Sequence, residues 1–349
     1  MNPKVAIIIL NWNGWQDTIE CLESLYQITY PNYEVIVVDN GSEDESIEKI
    51  REYCEGKIKA ESKFFEYNPT NKPIKIVEYT REEAEDGGGK EKELENVPSN
   101  RKLILIKNEK NYGFAEGNNI AMRYALKALN PDYVLLLNND TVVDREFLVE
   151  LVKVAGSDES IGIVGPKIYY YDYDTRTDVI NFAGADLVLW KCKQIRYGRK
   201  ERDAGQYNSV REVDMIEGSC GLINKKVLEN VGFFNPEFFA YWEETDLCWR
   251  TRKRGYKLMV SPMSKLWHKK GVSDDKLMSP VFIYYFTRNR FLFMKRNASR
   301  LDNLKFLVYF FGFDMWVWIF IVLRDRGVRG LPTFFRGIIS GIKMYLYDY

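Results

Sequence analysis

Apolar and polar positions along the first half of the chain switch repeatedly between two patterns. Lys4–Leu10 is a short continuous apolar run rich in isoleucine, the signature of a strand buried on both faces. From Asp17 the period lengthens: Ile19, Leu22 and Leu25 form one helical stripe, with Glu20 three residues after Asp17 as a capping-box partner. Glu34–Val38 predicts a second apolar strand, ending at Asp39-Asn40-Gly41. Ser42 and Glu45 then form the box of a second helix that turns Ile47 and Ile50 inward. The alternation resumes with a strand at Lys102–Ile106, a helix at Gly117–Leu129 and a strand at Tyr133–Leu137. A further helix opens at Asp144 and runs through Val154. Strands alternating with helices imply a parallel sheet with right-handed crossovers.

Elsewhere the pattern changes. Residues 57–101 contain TREEAEDGGGKEKELENVPSN, charged and without apolar period, and read as an exposed, partly disordered insertion. Ile161–Val213 is rich in Tyr, Asp and Gly and predicts short strands and loops. Asn224 caps a helix carrying Val227, Leu228 and Val231; another runs from Glu244 to Arg254, closed by Gly255. Phe306–Leu323 is apolar and near the minimum length for a bilayer span, with Gly312 and Asp314 near its middle arguing against simple spanning.

Charge narrows the partners. Lys plus Arg and Asp plus Glu stand at 50 each, so nothing favours nucleic acid, which wants a basic face. Five dispersed cysteines without a CxxC pair suit a reduced, cytosolic protein and offer no zinc framework. The N-terminal apolar run is short and lacks a small-residue cleavage site, as expected of a first strand and not a signal peptide.

In parallel α/β sheets, ligands bind beyond the carboxyl ends of the strands. Three polar clusters fall there: Asn11-Trp12-Asn13-Gly14, Asp39-Asn40-Gly41-Ser42 and Asn138-Asn139-Asp140. Each alone is an ordinary turn former; three in succession predict a shared pocket. Together with NYGFAEGNN, EGSCGLINKKV, FFAYWEETDLCWR, WHKKGVS and YYFTRNRFLFMKRN, in that order, they resemble the family 2 glycosyltransferases of the GT-A fold, notably the rhamnosyltransferase-like branch.

The resemblance implies an α/β, Rossmann-like domain over residues 1–272 (with 57–101 inserted). A C-terminal helical region over 273–349 would associate with a membrane or serve oligomerisation. It implies an inverting transfer from a nucleoside diphosphate sugar, dTDP-rhamnose-like or a UDP-sugar, to a glycan or lipid-linked acceptor, assisted by Mn²⁺ or Mg²⁺. Asn138–Asp140 stands where the family places D-x-D, so Asp140, His268 and the neutral oxygen of Asn138 are the expected metal ligands. Glu244 is the expected general base, with Glu243 and Asp246 as alternates. Asn11, Asn13, Asp39, Gly113, Asn118, Asn139 and Gly218 are expected to line the donor, with Asn118 and Asn119 at a helix start, and Cys220 to be small and buried rather than nucleophilic. The C-terminal segment is expected to lie in a membrane interface, with Arg288, Arg290, Lys295 and Arg296 near headgroups and Trp316 and Trp318 at the boundary; a core helix or an oligomer contact is the alternative. Two other functions compete. A sugar nucleotidyltransferase would carry a Gly-rich loop after its first strand, which Asn11–Gly14 is not; a non-catalytic nucleotide-sugar or glycan binder would tolerate Asn138 and the Glu243-Glu244 pair.

Overall fold

The computed structural model describes residues 2–269 and 278–346; the expected domain boundary at 272–273 lies outside them. β1 (Val5–Asn11) is the centre of the sheet, flanked by α1 (Trp15–Leu25) and paired in parallel with β2 (Tyr33–Asp39) on one side. After α2 (Ser46–Cys54) the chain builds outward through β3 (Lys75–Thr80), α3 (Arg81–Asp86) and β4 (Lys102–Lys107). α4 (Gly113–Tyr124) then carries it back to β5 (Tyr133–Asn138) on the opposite side of β1. The parallel order β3-β4-β2-β1-β5 therefore reverses direction at β1, which opens a crevice at its carboxyl end between β1 and β5. The register places Asn11 beside Asp39, and Leu10 beside Asn138.

Beyond β5 the sheet becomes mixed. β6 (Thr141–Val143) and α5 (Phe147–Ala155) lead to β7 (Ile161–Tyr170), every residue of which is buried. Short strands follow: β8 (Val179–Phe182), the β9 (Ala185–Val188) and β10 (Lys193–Arg196) hairpin, β11 (Glu201–Arg202) and β12 (Arg211–Glu212). β13 (Cys220–Asn224) inserts antiparallel between β5 and β7. α6 (Lys225–Val231), capped by Asn224 as expected, and α7 (Glu243–Lys253) precede β14 (Lys257–His268), which pairs with β6 and β7.

Several expected boundaries shift, two of them because a side chain has another partner. Asp17 and Glu20 form no capping box: α1 starts at Trp15 behind Gly14, and both acids pair with Lys269 at 2.6 and 2.5 Å. Ser42 caps nothing either; its hydroxyl binds Asp39, and α2 starts only at Ser46. α4 begins four residues before Gly117 and runs on as a π turn through Ala125–Leu129. α5 begins at Phe147, since β6 occupies the residues before Asp144.

The supposed insertion at 57–101 is the largest correction. It contributes β3, a parallel edge strand, and α3, opened by a Thr80–Glu83 capping box, and buries Ile74, Val77, Tyr79, Ala84 and Leu94. Its entry is anchored by Glu23, whose fully buried carboxylate pairs with Lys72 at 3.1 Å and accepts from Tyr53, Gln27 and the Asn68 amide.

The C-terminal region is a helical layer. α8 (Pro280–Asn297) is followed by α9 (Arg300–Tyr309), a π turn at Phe310–Asp314 and α10 (Met315–Arg326), which together run back along it. Contacts from Phe310 to Phe291, Trp318 to Phe286 and Arg326 to Met278 define that antiparallel course. α11 (Leu331–Leu346) then returns beside α8. Arg300–Leu346 is a helical stretch long and apolar enough to cross a membrane by length and composition. The α8 cations expected near headgroups are used within the protein. Arg290 is buried against Asp314 at 2.6 Å, Arg288 donates to the Phe238 carbonyl, Lys295 to the Met344 carbonyl, and Arg296 pairs with Glu237. Trp318 packs against Phe282 and Phe286, whereas Trp316 is exposed.

Removing one member of a buried ion pair strands the other charge. Glu23→Ala is expected to lower the unfolding free energy by roughly 3–5 kcal/mol, measured by urea denaturation, whereas replacing Glu23 and Lys72 together with Met costs distinctly less.

Candidate functional site

The three polar clusters meet at the carboxyl edge of β1, β2 and β5. Asn11 is fully buried; its amide nitrogen donates to Asp39 Oδ1 at 2.8 Å and to Ser42 Oγ at 3.2 Å, and its oxygen accepts from Thr18 Oγ1 at 2.9 Å. Asn139 donates to Thr18 Oγ1 and the Gly14 carbonyl at 3.1 and 3.3 Å. The Asn13 side-chain oxygen accepts from the amides of Glu43 and Asp44, at 2.8 and 3.3 Å. The amides expected at Asn11, Asn13 and Asn139 to line a donor are therefore committed to joining the loops of its rim. Asp39 Oδ1 takes Asn11 and Ser42 Oγ, while Oδ2 takes only the Ser42 amide, so one carboxylate oxygen keeps acceptor capacity. Trp12, within this rim, is 55% exposed and was not singled out by its own side chain; a large ring held out by two anchored asparagines is the signal.

The far rim is the start of α4. Asn40 ties it to β2, donating to Asn111 Oδ1 and the Gly113 carbonyl and accepting from Asn108 and the Tyr112 amide. Gly113 has φ +81°, and a Cβ there would stand 2.5 Å from the Phe239 ring, so both backbone and space require glycine. Asn118 and Asn119 lie inside the helix instead of at its start. Asn118 donates to the Phe114 carbonyl, and Asn119 clamps the backbone of Phe234 through both polar atoms.

Asp140 and His268 meet in the crevice. His268 ends β14 opposite Thr141 of β6, which brings its Nε2 to 3.1 Å from Asp140 Oδ1; both residues are buried. The Lys269 amide donates to the Asp140 carbonyl at 2.9 Å and fixes the turn. Among the described residues, no group of three His, Cys, Asp or Glu surrounds a single point. A carboxylate with an imidazole nevertheless fits Mn²⁺ or Mg²⁺, which take few protein ligands when substrate phosphates supply oxygens. Asn138 is half-buried at the end of β5, its backbone amide on the Ser219 carbonyl at 2.9 Å.

That bond brings a group of acids alongside. Gly218, next to Ser219, packs against Glu244: a Cβ on it would lie 3.5 Å from Glu244 Cβ. Glu243 and Glu244 open α7, after a loop in which Phe239, Tyr241 and Trp242 all have positive φ (63°, 69° and 76°). Such strain persists only where the surroundings over-determine it. Here Asn289 of α8 does so, its amide donating to the carbonyls of Phe238, Ala240 and Tyr241 at 2.7–2.8 Å. Burial, and then the charge of Glu244, holds the Glu243 carboxyl well above the usual range. Burial also raises Glu244, with Glu217 adding to the rise and Arg196 opposing it. Arg196 binds Glu217 at 2.8 Å, and Gln194 on the same strand binds Thr245. Glu217 went unnoticed in the sequence, although an acid directly before Gly-Ser-Cys-Gly marks a tight loop. Asp246 does not share this group: Arg250 and Asn297 hold its two oxygens at 2.6 and 2.7 Å, so it ties α7 to α8. Cys220 is fully buried, and burial raises its thiol well above the ordinary value, which leaves it inert as a nucleophile.

The arrangement joins a cation-competent pair to a protonatable carboxylate pair across the β5–β13 ladder. Residues 6–72 match the family described as Glycosyl transferase family 2, and residues 92–280 that described as Glycosyltransferase like family 2. The chain is 26% identical over 344 residues to the low-salt glycan biosynthesis hexosyltransferase Agl10 of Haloferax volcanii, covering 98% of this chain and 92% of that protein. It is 26% identical to the dTDP-rhamnosyl transferase RfbF of Shigella flexneri over 56% of this chain and 64% of the relative. Among solved structures, the mannosyltransferase PcManGT from Pyrobaculum calidifontis, in complex with GDP-Man and Mn²⁺, superposes with a TM-score of 0.53 at 13% identity, covering all of this chain and 88% of that one. S. aureus TarS 1-349 in complex with UDP-GlcNAc gives 0.52 at 15%, covering 97% and 81%.

If Asn289 sets the start of α7, Asn289→Ala misplaces Glu244 without touching the β1–β2 rim. Turnover is expected to fall by roughly 10²-fold, the scale of a 1 Å misplacement, while calorimetric affinity for a nucleoside diphosphate stays within twofold.

Proposed function

The chain belongs to glycosyltransferase family 2 and has the GT-A fold, and from that premise we propose that it moves a hexose, with inversion, from a nucleoside diphosphate sugar to a hydroxyl of a glycan or lipid-linked acceptor. The buried Asp140–His268 pair at the reversal point of the sheet carries this reading. The nucleotide lies over β1 and β2, where Trp12 offers a ring face to the base and Asp39 Oδ2 accepts from base or ribose. The donor is dTDP-rhamnose-like or a UDP-sugar; the rhamnosyltransferase relatives support the first.

Asp140 and His268, with the Asn138 oxygen at their side, would hold Mn²⁺ or Mg²⁺. The cation's chemistry is to offset charge on the departing diphosphate, worth several kcal/mol. The chain's own residues do the rest. Burial holds the Glu243 carboxyl further above the usual range than that of Glu244, so Glu243 would be the neutral member of the pair and Glu244 the ionised one. Glu244 takes the proton of the acceptor hydroxyl as its oxygen bonds to the anomeric carbon and the bond to the diphosphate oxygen breaks. One displacement inverts the configuration. Attachment to the cytoplasmic face of a membrane, through the apolar C-terminal helices, accords with a lipid-linked acceptor.

A donor screen reading diphosphate release, with and without Mn²⁺, tests the reading; no release from any nucleotide sugar with any glycan acceptor would overturn it. Asp140→Ala is expected to abolish cation-dependent transfer, measured against added Mn²⁺. Glu244→Gln is expected to slow turnover by about 10²–10⁴-fold, as loss of a general base does, with donor affinity kept. Since the base works ionised and its pKa is raised, kcat/KM rises with pH through an acid limb above the ordinary carboxylate range. Arg196→Met removes a cation that opposes the rise, and is expected to move that limb to higher pH.

A further inference from the structure

The helical layer leaves one broad apolar face uncovered. Leu301, Leu304 and Val308 on α9, Trp316 and Phe320 on α10, and Val328 after it are each about 60–74% exposed. The spacing 301, 304, 308 and then 316, 320 keeps them on successive turns, so they form a stripe and not scattered exceptions. The opposite side of the same helices is built into the protein: Phe306, Phe310, Asp314 and Val322 are buried, and Asp314 is locked to Arg290 of α8. α8 in turn holds the loop before Glu243 through Asn289. One side of the α9–α10 stretch packs along α8, so only its outer face is open to lipid.

Charge identifies what covers the stripe. The chain is neutral as a whole, yet Arg300–Leu346 carries seven cations against three acids, one of them the internally paired Asp314. Lys305 and Arg329, next in sequence to Leu304 and Val328 of the stripe, are exposed, as are Arg336 and Lys343 on α11. An apolar stripe with neighbouring cations complements an anionic lipid surface, and it disfavours a second copy of itself, which would set cation against cation.

The face also reaches the catalytic acids. At the end of α9, Tyr309 packs edge-on against Trp190, 38% exposed at the tip of the β9–β10 hairpin, and Lys191 lies over both rings. Arg290 donates to the Lys191 carbonyl. The same hairpin delivers Arg196 to Glu217 and Gln194 to Thr245, beside Glu244.

We propose that the outer face of α9–α10 seats the enzyme monotopically in the interface of an anionic bilayer, and that the β9–β10 hairpin sets the Glu217–Glu244 pocket next to that surface. The acceptor hydroxyl is then presented from headgroup level. The inference deepens the membrane attachment proposed above.

The test uses the full chain with phosphatidylcholine vesicles, with and without about 30% phosphatidylglycerol, whose negative headgroups attract basic residues near the surface. Flotation is expected with anionic vesicles and at least tenfold weaker with neutral ones. The double variant Trp316→Glu/Phe320→Glu, at exposed positions, is expected to lose flotation while nucleoside diphosphate affinity and diphosphate release with a soluble acceptor are unchanged. Trp316 should be quenched more by lipids brominated near the headgroup than by those brominated at the chain end, with the difference lost in Trp316→Phe. No flotation, a dimer that the double variant dissociates, or stronger quenching from the chain ends would overturn the proposal. Loss of diphosphate release in the unmodified chain would instead strike at the transferase reading.

Discussion

The structure depends on one constraint: the carboxyl edge of the sheet is polar and yet out of water. A buried amide or carboxylate left without a partner costs roughly 1–3 kcal/mol, so the loops after β1, β2 and β5 must satisfy one another. Asn11 is the hub of that exchange, bonding Asp39, Ser42 and Thr18 at once. Because the bonds to Asp39 and Ser42 join the β1 and β2 loops, and Asn139 ties the β5 loop to Gly14 and Thr18, none of the loops can move alone. The rigidity suits the proposed donor site, which needs fixed walls. It also explains why residues that look like ligand contacts in the sequence are partly structural. Asn11 and Asn139 are spent on the rim so that Asp39, Trp12 and Asp140 can face the crevice from known positions.

A second constraint works from the other side. The start of α7 is reached through three left-handed non-glycine residues, a conformation the chain would leave if released. Asn289 meets three of the carbonyls that this path turns aside, and Arg288 a further contact at Phe238. α8 is thus part of the catalytic domain's machinery and not only a support for the C-terminal layer. The Asp246–Asn297 bond makes the same junction a second time, one turn into α7. The carboxylate pair is consequently positioned by a helix that the Arg290–Asp314 pair connects to the surface helices.

How much of this was legible in the sequence follows from the kind of signal. Long apolar runs such as VAIIIL and YVLLL announce buried strands, and the parallel order and the crevice came from them. Boundaries were less legible because short polar side chains compete for partners: Ser42 and Glu20 suit helix caps, but Asp39 and Lys269 bind them more usefully in the fold. The charged text of 57–101 hid β3, since an edge strand needs only Val77 and Tyr79 on its buried face and leaves Lys75 and Thr80 to solvent. In the site, Asp140 and His268 were visible as a pair through resemblance alone, 128 residues apart, and register through β6 and β14 makes them neighbours. Glu217 and Trp12 were missed because their importance lies in what stands beside them.

The Asn138 substitution finds its place in this balance. A cation site with two carboxylates would bind a metal more firmly, but would bury two like charges at the end of β5, which Ser219 joins to the loop carrying Glu217. Like charges disfavour ionisation at each other's sites and carry a desolvation cost that grows with burial. An amide at 138 lowers the negative charge at the end of β5, where Ser219 links it to the acid loop. Under the proposed mechanism, the imidazole of His268 would then supply the second ligand without adding negative charge near Glu244. In that mechanism, an amide at 138 would leave the cation to Asp140, His268 and the donor's own phosphates, and would add no further negative charge to the end of β5.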